Sequence, residues 1–271
     1  MDRIKQALDK ARSEREGEHQ KGVRPGRESR EAAGTDQKSA ITYSQTRTTT
    51  IEPAVLKANR VIYGDADRTG LSAYKMLRTQ VMQRMAAKSW NALAITSPTE
   101  QDGKTLTAVN LAISLARELH KTVLLVDMDL RNPCVDKYFG LRVEKGIGDY
   151  LLRDVPLSDV LVNPGIERLV ILPGREHIEN SSEILASPAM GAMVHELKTR
   201  YPSRMVIFDL PPVLLADDAL AFAPYIDAFL LVVRDGKTRK EMVEQAVEIM
   251  SGASILGTVL NDSPEKIASY Y

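Results

Sequence analysis

Apolar residues in this chain gather into short continuous runs, and between the runs they recur at helical spacing. The runs Ala92–Thr96, Val123–Val126, Leu169–Leu172, Met205–Phe208, Ala228–Val233 and Ile255–Leu260 have the length of strands buried on both faces. Leu106–His120, Ala216–Phe222 and Thr238–Met250 lie between them and repeat apolar residues every three or four positions, which predicts helices. Leu71, Tyr74, Leu77, Val81 and Met85 predict one more helix over Leu71–Ala87. Strand alternating with helix predicts an α/β fold, a mostly parallel sheet with helices on both faces.

The first part of the chain has a different pattern. Ile4, Ala7, Leu8 and Ala11 share one face of a short amphipathic helix over Met1–Arg15. Glu16–Thr50 has few apolar side chains and reads as a disordered linker. Ile51–Tyr63 reads as a connector along the domain surface. The expected organisation is a helix and linker over 1–60, one folded domain over 61–261, and a tail over 262–271 that ends in Tyr270 and Tyr271.

Charge and cysteine content narrow the function classes. Lysine plus arginine and aspartate plus glutamate number 36 each, so bulk charge does not point to nucleic acid. The single cysteine, Cys134, excludes an internal disulfide and fits a reducing compartment. No stretch approaches the roughly 20 apolar residues of a membrane span, and MDRIKQALDK does not resemble a secretory signal. A cytoplasmic protein is expected, reaching the inner face of a membrane only through a partner.

Three stretches carry candidate chemistry. Ser97–Thr105, SPTEQDGKT, follows a strand and opens a helix, the setting in which loop amides and a helix N-terminus bind phosphate. Gly103 permits close approach, Lys104 reaches outer phosphates, and the Thr105 hydroxyl is placed for magnesium. Pro98 stands where this motif usually has its first glycine. The second stretch, VLLVDMDLRNP over Val123–Pro133, ends a strand in Asp127, Asp129 and Arg131, where open parallel sheets bind ligands. In the third, Met205–Pro212, the strand ends in Asp209 and is stopped by two prolines; such an aspartate commonly holds magnesium, often through water. Together they predict a P-loop NTPase-like fold with a site for ATP and Mg2+.

This combination resembles the bacterial tyrosine kinases of exopolysaccharide and capsule production, in their cytoplasmic stand-alone form. SPTEQDGKT is similar to the family's Walker A, VLLVDMDLRNP to its Walker A′, and VIFDLPP to its Walker B. NSSEILASPAM (Asn180–Met190), VVRDGKT (Val232–Thr238) and GTVLND (Gly257–Asp262) match further family segments. The resemblance implies a non-specific protein-tyrosine kinase that transfers the ATP γ-phosphate to its own terminal tyrosines, here Tyr270 and Tyr271. It implies nucleotide contacts from Asp102, Gly103, Lys104, Thr105, Leu106, Arg131 and Asn261, the last beside the adenine. Thr105, Asp129 and Asp209 would hold magnesium. Lys104, Asp127, Asp129 and Asp209 would serve catalysis, with Asp127 taking the tyrosine proton. The implied partner is a membrane polysaccharide co-polymerase that activates the kinase.

The sequence departs from the family at several points. Glu100 and Gln101 replace a proline and a glycine frequent in the loop, and Leu210 replaces a small residue. Where the family has Glu-x-x-Arg-x-x-Arg for ring assembly, the helix over Leu71–Gln80 has Ser72, Lys75 and Arg78. Two other classes stay open here. One is an ATPase switch of the partitioning and division-site type, which would carry a signature lysine where this chain has Thr99. The other is an ATP-binding scaffold with weak kinase activity.

Overall fold

The computed structural model describes residues 47–64, 68–118, 121–201 and 203–264. The expected N-terminal helix, most of the expected linker, and Tyr270 and Tyr271 lie outside the described residues. The described chain forms an eight-stranded sheet. Its strands are β1 (Arg47–Thr48), β2 (Ala92–Thr96), β3 (Thr122–Asp127), β4 (Val162–Asn163), β5 (Leu169–Leu172), β6 (Arg204–Asp209), β7 (Ala228–Arg234) and β8 (Ile255–Asn261). Their order across the sheet is β1-β4-β5-β3-β6-β2-β7-β8. Every pairing is parallel except β4 with β5.

Parallel strands need crossovers, and helices provide them. The sheet is therefore covered on both sides, and alternate residues of a strand enter different cores. Val123 and Leu125 of β3 pack with Val109, Leu111 and Met85. Leu124 and Val126 pack on the other face with Met193, Val194 and Phe222. Burial on both faces is the reason these strands read as unbroken apolar runs rather than alternating ones.

Two parts of the sequence reading need correction. Arg47 and Thr48, inside the expected linker, pair with Val162 and Asn163 at the sheet edge. Within the expected connector, α1 (Pro53–Ala58) is a helix whose Leu56 is buried in a core. Pro53 at its first turn and Leu56 on its inner side account for it. The sheet and core thus take in residues before 61. No helix among the described residues is long and apolar enough to cross a membrane.

Candidate nucleotide and phosphoryl-transfer site

Three central strands end at one level. Asp127 of β3 lies in register with Asp209 of β6, and Asp209 with Ile95 of β2, so both aspartates flank the loop that leaves Thr96. That loop turns into α2 (Lys104–Ala116) at Gly103, whose φ of 96° is left-handed. Glycine is therefore required at 103 for backbone shape, and a side chain there would push the Asn261 amide aside.

Lys104 has folded inward. Its Nζ lies 2.7 Å from Asp129 Oδ2, 3.3 Å from Thr105 Oγ1 and 3.7 Å from Asp209 Oδ2. Thr105 Oγ1 donates to Asp209 Oδ2 at 2.6 Å. Burial alone lowers the pKa of the Lys104 ammonium, but Asp209 and Asp129 overcome it and hold the group above its ordinary value. Burial drives the Asp209 carboxyl the other way, up to about 6, against the pull of Lys104 and Thr105. Among the described residues Asp209 Oδ1 has no hydrogen-bond partner, although it is fully buried. A buried acceptor without a partner is costly, and a cation bound at this site would relieve that cost.

That donor set fits magnesium. No cluster of three or more histidine, cysteine or acidic side chains forms a ready metal cage among the described residues. Magnesium does not ask for one, since it takes one or two carboxylates and fills its shell with water and substrate phosphates. Asp129, Asp209 and the Thr105 hydroxyl offer that, with Lys104 as the cation now drawn between the two carboxylates.

Asp127 is placed differently from the other acids. It is fully buried, and its Oδ2 accepts the backbone N–H groups of Cys134 and Val135, each at 2.9 Å. Its Oδ1 lies 3.3 Å from the Asp129 amide. Burial and then Asp209 push its carboxyl up to about 8, against the amide of Val135. The expected proton acceptor is thus enclosed by the loop that follows it. Cys134 beside it has its thiol raised to about 12, chiefly by burial, which makes it a poor nucleophile.

The remaining expected site residues surround a cleft of about 780 Å³, lined among others by Gly103, Lys104, Thr105, Leu106, Asp129, Arg131 and Asn261. Asp102 does not open into it with its side chain, which bonds Thr99 and Thr238 instead. Three partners escaped the sequence reading. Ser181 and Asp218 hold Arg131 at 3.1 and 2.9 Å, and Thr238 holds Asp102. Ser181 and Thr238 sit within recognised segments, so the motif was visible while the contact was not. Asp218 had only one signal, an acid at the head of the apolar run Ala219–Phe222.

Comparison with known proteins gives this geometry a family. The sequence profile of an AAA-domain family matches residues 95–236, from the end of β2 to just beyond β7. Tyrosine-protein kinase CpsD of Streptococcus agalactiae is 33% identical over 200 residues, covering 73% of this chain and 84% of CpsD. The succinoglycan biosynthesis transport protein ExoP of Rhizobium meliloti is 28% identical over 210 residues, which are 76% of this chain and 26% of ExoP. The kinase domain of the Escherichia coli tyrosine kinase ETK superposes with a TM-score of 0.65 at 26% identity, over 74% of this chain and 80% of that domain. Lys104, Thr105, Asp129 and Asp209 gathered beyond the ends of β2, β3 and β6, and a kinase aligned over most of both chains, lead to one assignment: the chain belongs to the bacterial tyrosine kinases, phosphate-loop enzymes that phosphorylate protein tyrosines.

Proposed function

We propose that this protein is an ATP- and magnesium-dependent autokinase that phosphorylates Tyr270 and Tyr271 and acts in exopolysaccharide synthesis or export. The observation that carries the reading is the set of Lys104, Thr105, Asp129 and Asp209 at adjoining strand ends, with Lys104 Nζ 2.7 Å from Asp129. The amides around Gly103 and the start of α2 bind the phosphates. Lys104 then leaves its carboxylate partners for the oxygens of the transferring phosphoryl group, where its charge stabilises the transition state. Thr105, Asp129 and Asp209 would hold magnesium, which would supply charge to neutralise the phosphate oxygens. Arg131 supplies a further cation at the cleft wall, and Asn261 stands on the side where the adenine enters.

Asp127 is assigned a different task from the one the resemblance implies. With its oxygens turned to the Cys134, Val135 and Asp129 amides, it anchors the 129–135 loop and so sets where Asp129 and Arg131 stand. A loose phosphoryl-transfer transition state asks more for positioning and charge than for a strong base.

The proposed partner is a membrane polysaccharide co-polymerase, which would bring the chain to the inner face of the membrane. ExoP supports the pathway through its name. Transfer is proposed to run between molecules through weak contacts. Ser72 and Lys75 are exposed, whereas Arg78 is already engaged within the chain, with Ser114 O at 3.1 Å and Glu118 at 2.9 Å. The test mixes a Lys104→Ala chain that keeps its tail with an active chain ending at Ser269, in ATP and magnesium, and locates phosphate by mass spectrometry. Phosphotyrosine on the inactive chain, rising with protein concentration, is expected. ATP turnover without any phosphotyrosine would select the switch ATPase instead.

A further inference from the structure

VVRDGKT, the segment at the end of β7, has no role in the chemistry above, yet it grips the phosphate loop. Thr238 Oγ1 donates to Asp102 Oδ1 at 2.7 Å and accepts the Arg234 amide at 2.7 Å. The other Asp102 oxygen, Oδ2, accepts the amide and hydroxyl of Thr99 at 2.9 and 3.0 Å. The Asp102 carbonyl accepts Asn261 Nδ2 at 2.9 Å. Asp102 is 2% exposed, so these bonds are made away from water and each counts for more.

Two features show that the loop needs holding. Gln101 and Gly103, on either side of Asp102, have φ of 61° and 96°, and a left-handed glutamine is a conformation the chain does not keep unaided. A carboxylate in a loop that binds polyphosphate also opposes its ligand by charge. Asp102 keeps its oxygens out of the cleft lining, turned to the hydroxyl and amide donors of Thr99 and Thr238.

We infer that Asp102 and Thr238 form a clamp that locks the phosphate loop in its nucleotide-binding shape, which makes Thr238 a positioning residue for the nucleotide. The clamp ties the loop to the turn between β7 and the helix Lys240–Ile249 (α3). The inference rests on the nucleotide reading of the cleft and adds a residue that touches no phosphate. Valine at 238 keeps the shape but leaves the Arg234 amide and Asp102 Oδ1 without this partner. Serine keeps the hydroxyl.

The test titrates the full chain with fluorescent ADP and magnesium. Thr238→Val is expected to weaken ADP about tenfold, the order of one charge-assisted hydrogen bond. Thr238→Ser should stay within about threefold of wild type. Thr238→Val combined with Asp102→Asn should bind no more weakly than the worse single variant, because the two act through one contact. Should Thr238→Val fail to fold, Asp102→Ala, which removes the group that Thr238 bonds, carries the test with a loss at least as large. Unchanged affinity in the tested variant, a serine variant as weak as valine, losses that multiply in the double variant, or a wild type that binds no ADP would each overturn the inference. ADP binding needs no phosphoryl transfer, so a chain that binds ADP and labels no tyrosine would sink the kinase reading alone.

Discussion

Arg131 and Asp218 are 87 residues apart in sequence and 2.9 Å apart in space, guanidinium Nε to carboxylate Oδ1. Asp218 is fully buried, and its Oδ2 has no partner among the described residues. The Arg131 side chain is 42% exposed, so the pair is unequal: the arginine can recover water, and the aspartate cannot. Removing the arginine should cost more than removing the acid. Arg131→Ala is expected to lower stability in urea by about 2 kcal/mol, below the roughly 3–5 kcal/mol of a fully buried pair because the arginine side is open to water. Adding Asp218→Asn to it should restore part of that loss. A double variant less stable than Arg131→Ala would show that Asp218 is held by something other than Arg131.

Asp127→Asn separates a base from an anchor. The amide oxygen can still accept the Cys134 and Val135 amides that Oδ2 accepts now. A loop anchor should therefore survive the change, with turnover reduced less than about tenfold and the pH profile of kcat unaltered. Loss of a general base costs about 10²–10⁴-fold and removes the acidic limb of that profile. Steady-state rates from pH 5.5 to 8.5 distinguish the two, and loss of the acidic limb would return Asp127 to the role of base.

Asp149 gives a prediction away from the cleft. It accepts the Gly146 amide at 2.8 Å and ion-pairs with Arg153 at 2.7 Å and Arg175 at 2.8 Å. Burial works against its charge, but these donors outweigh burial and hold the carboxyl down at about 2. An ordinary aspartate in the unfolded chain titrates near 4, so between about pH 4 and pH 2 the unfolded state binds more protons. Stability from this group is full above that window and lost as pH falls through it. Melting temperatures of wild type and Asp149→Asn should differ at pH 6 and converge toward pH 3. A constant difference would mean that shape, not charge, sets the contribution of Asp149.

Most of the sheet was legible because its strands are buried on both faces. Leu169–Leu172 and Ala92–Thr96 were bounded as observed, since a proline stands at or just past the end of each apolar run, Pro173 and Pro98. The Lys104, Thr105, Asp129 and Asp209 set could be read too, because a phosphate loop and aspartate-ended strands are local patterns. Arg47–Thr48 could not be. Two residues that add to a sheet edge through backbone bonds leave no side-chain signal. Leu56 was missed for a related reason: one buried leucine in a six-residue helix makes no period. The resemblance implied a nucleotide contact for Asp102, and its carboxylate turned out to face Thr99 and Thr238. Direction at a loop residue depends on partners as distant as position 238, which no local spacing records.

Lys104 combines the chemistry of the site with its stability. It neutralises Asp129 at 2.7 Å and approaches fully buried Asp209 at 3.7 Å, and Asp209 titrates at about 6 even with that help. Lys104→Ala should abolish phosphotyrosine formation, since the transferring group loses its cation. It should also raise the Asp209 carboxyl further above the unfolded aspartate value near 4. An acid with a raised folded pKa binds more protons folded than unfolded, so its stability deficit is full at high pH and relieved as pH falls. The melting temperature of Lys104→Ala should therefore lie below wild type most at pH 8, with the gap narrowing as pH falls toward about 6 and closing below it. Magnesium should narrow the gap at pH 8 as well, by supplying charge that the lysine no longer provides. A deficit equal at pH 8 and pH 5 and unmoved by magnesium would mean that Lys104 does not balance Asp129 and Asp209.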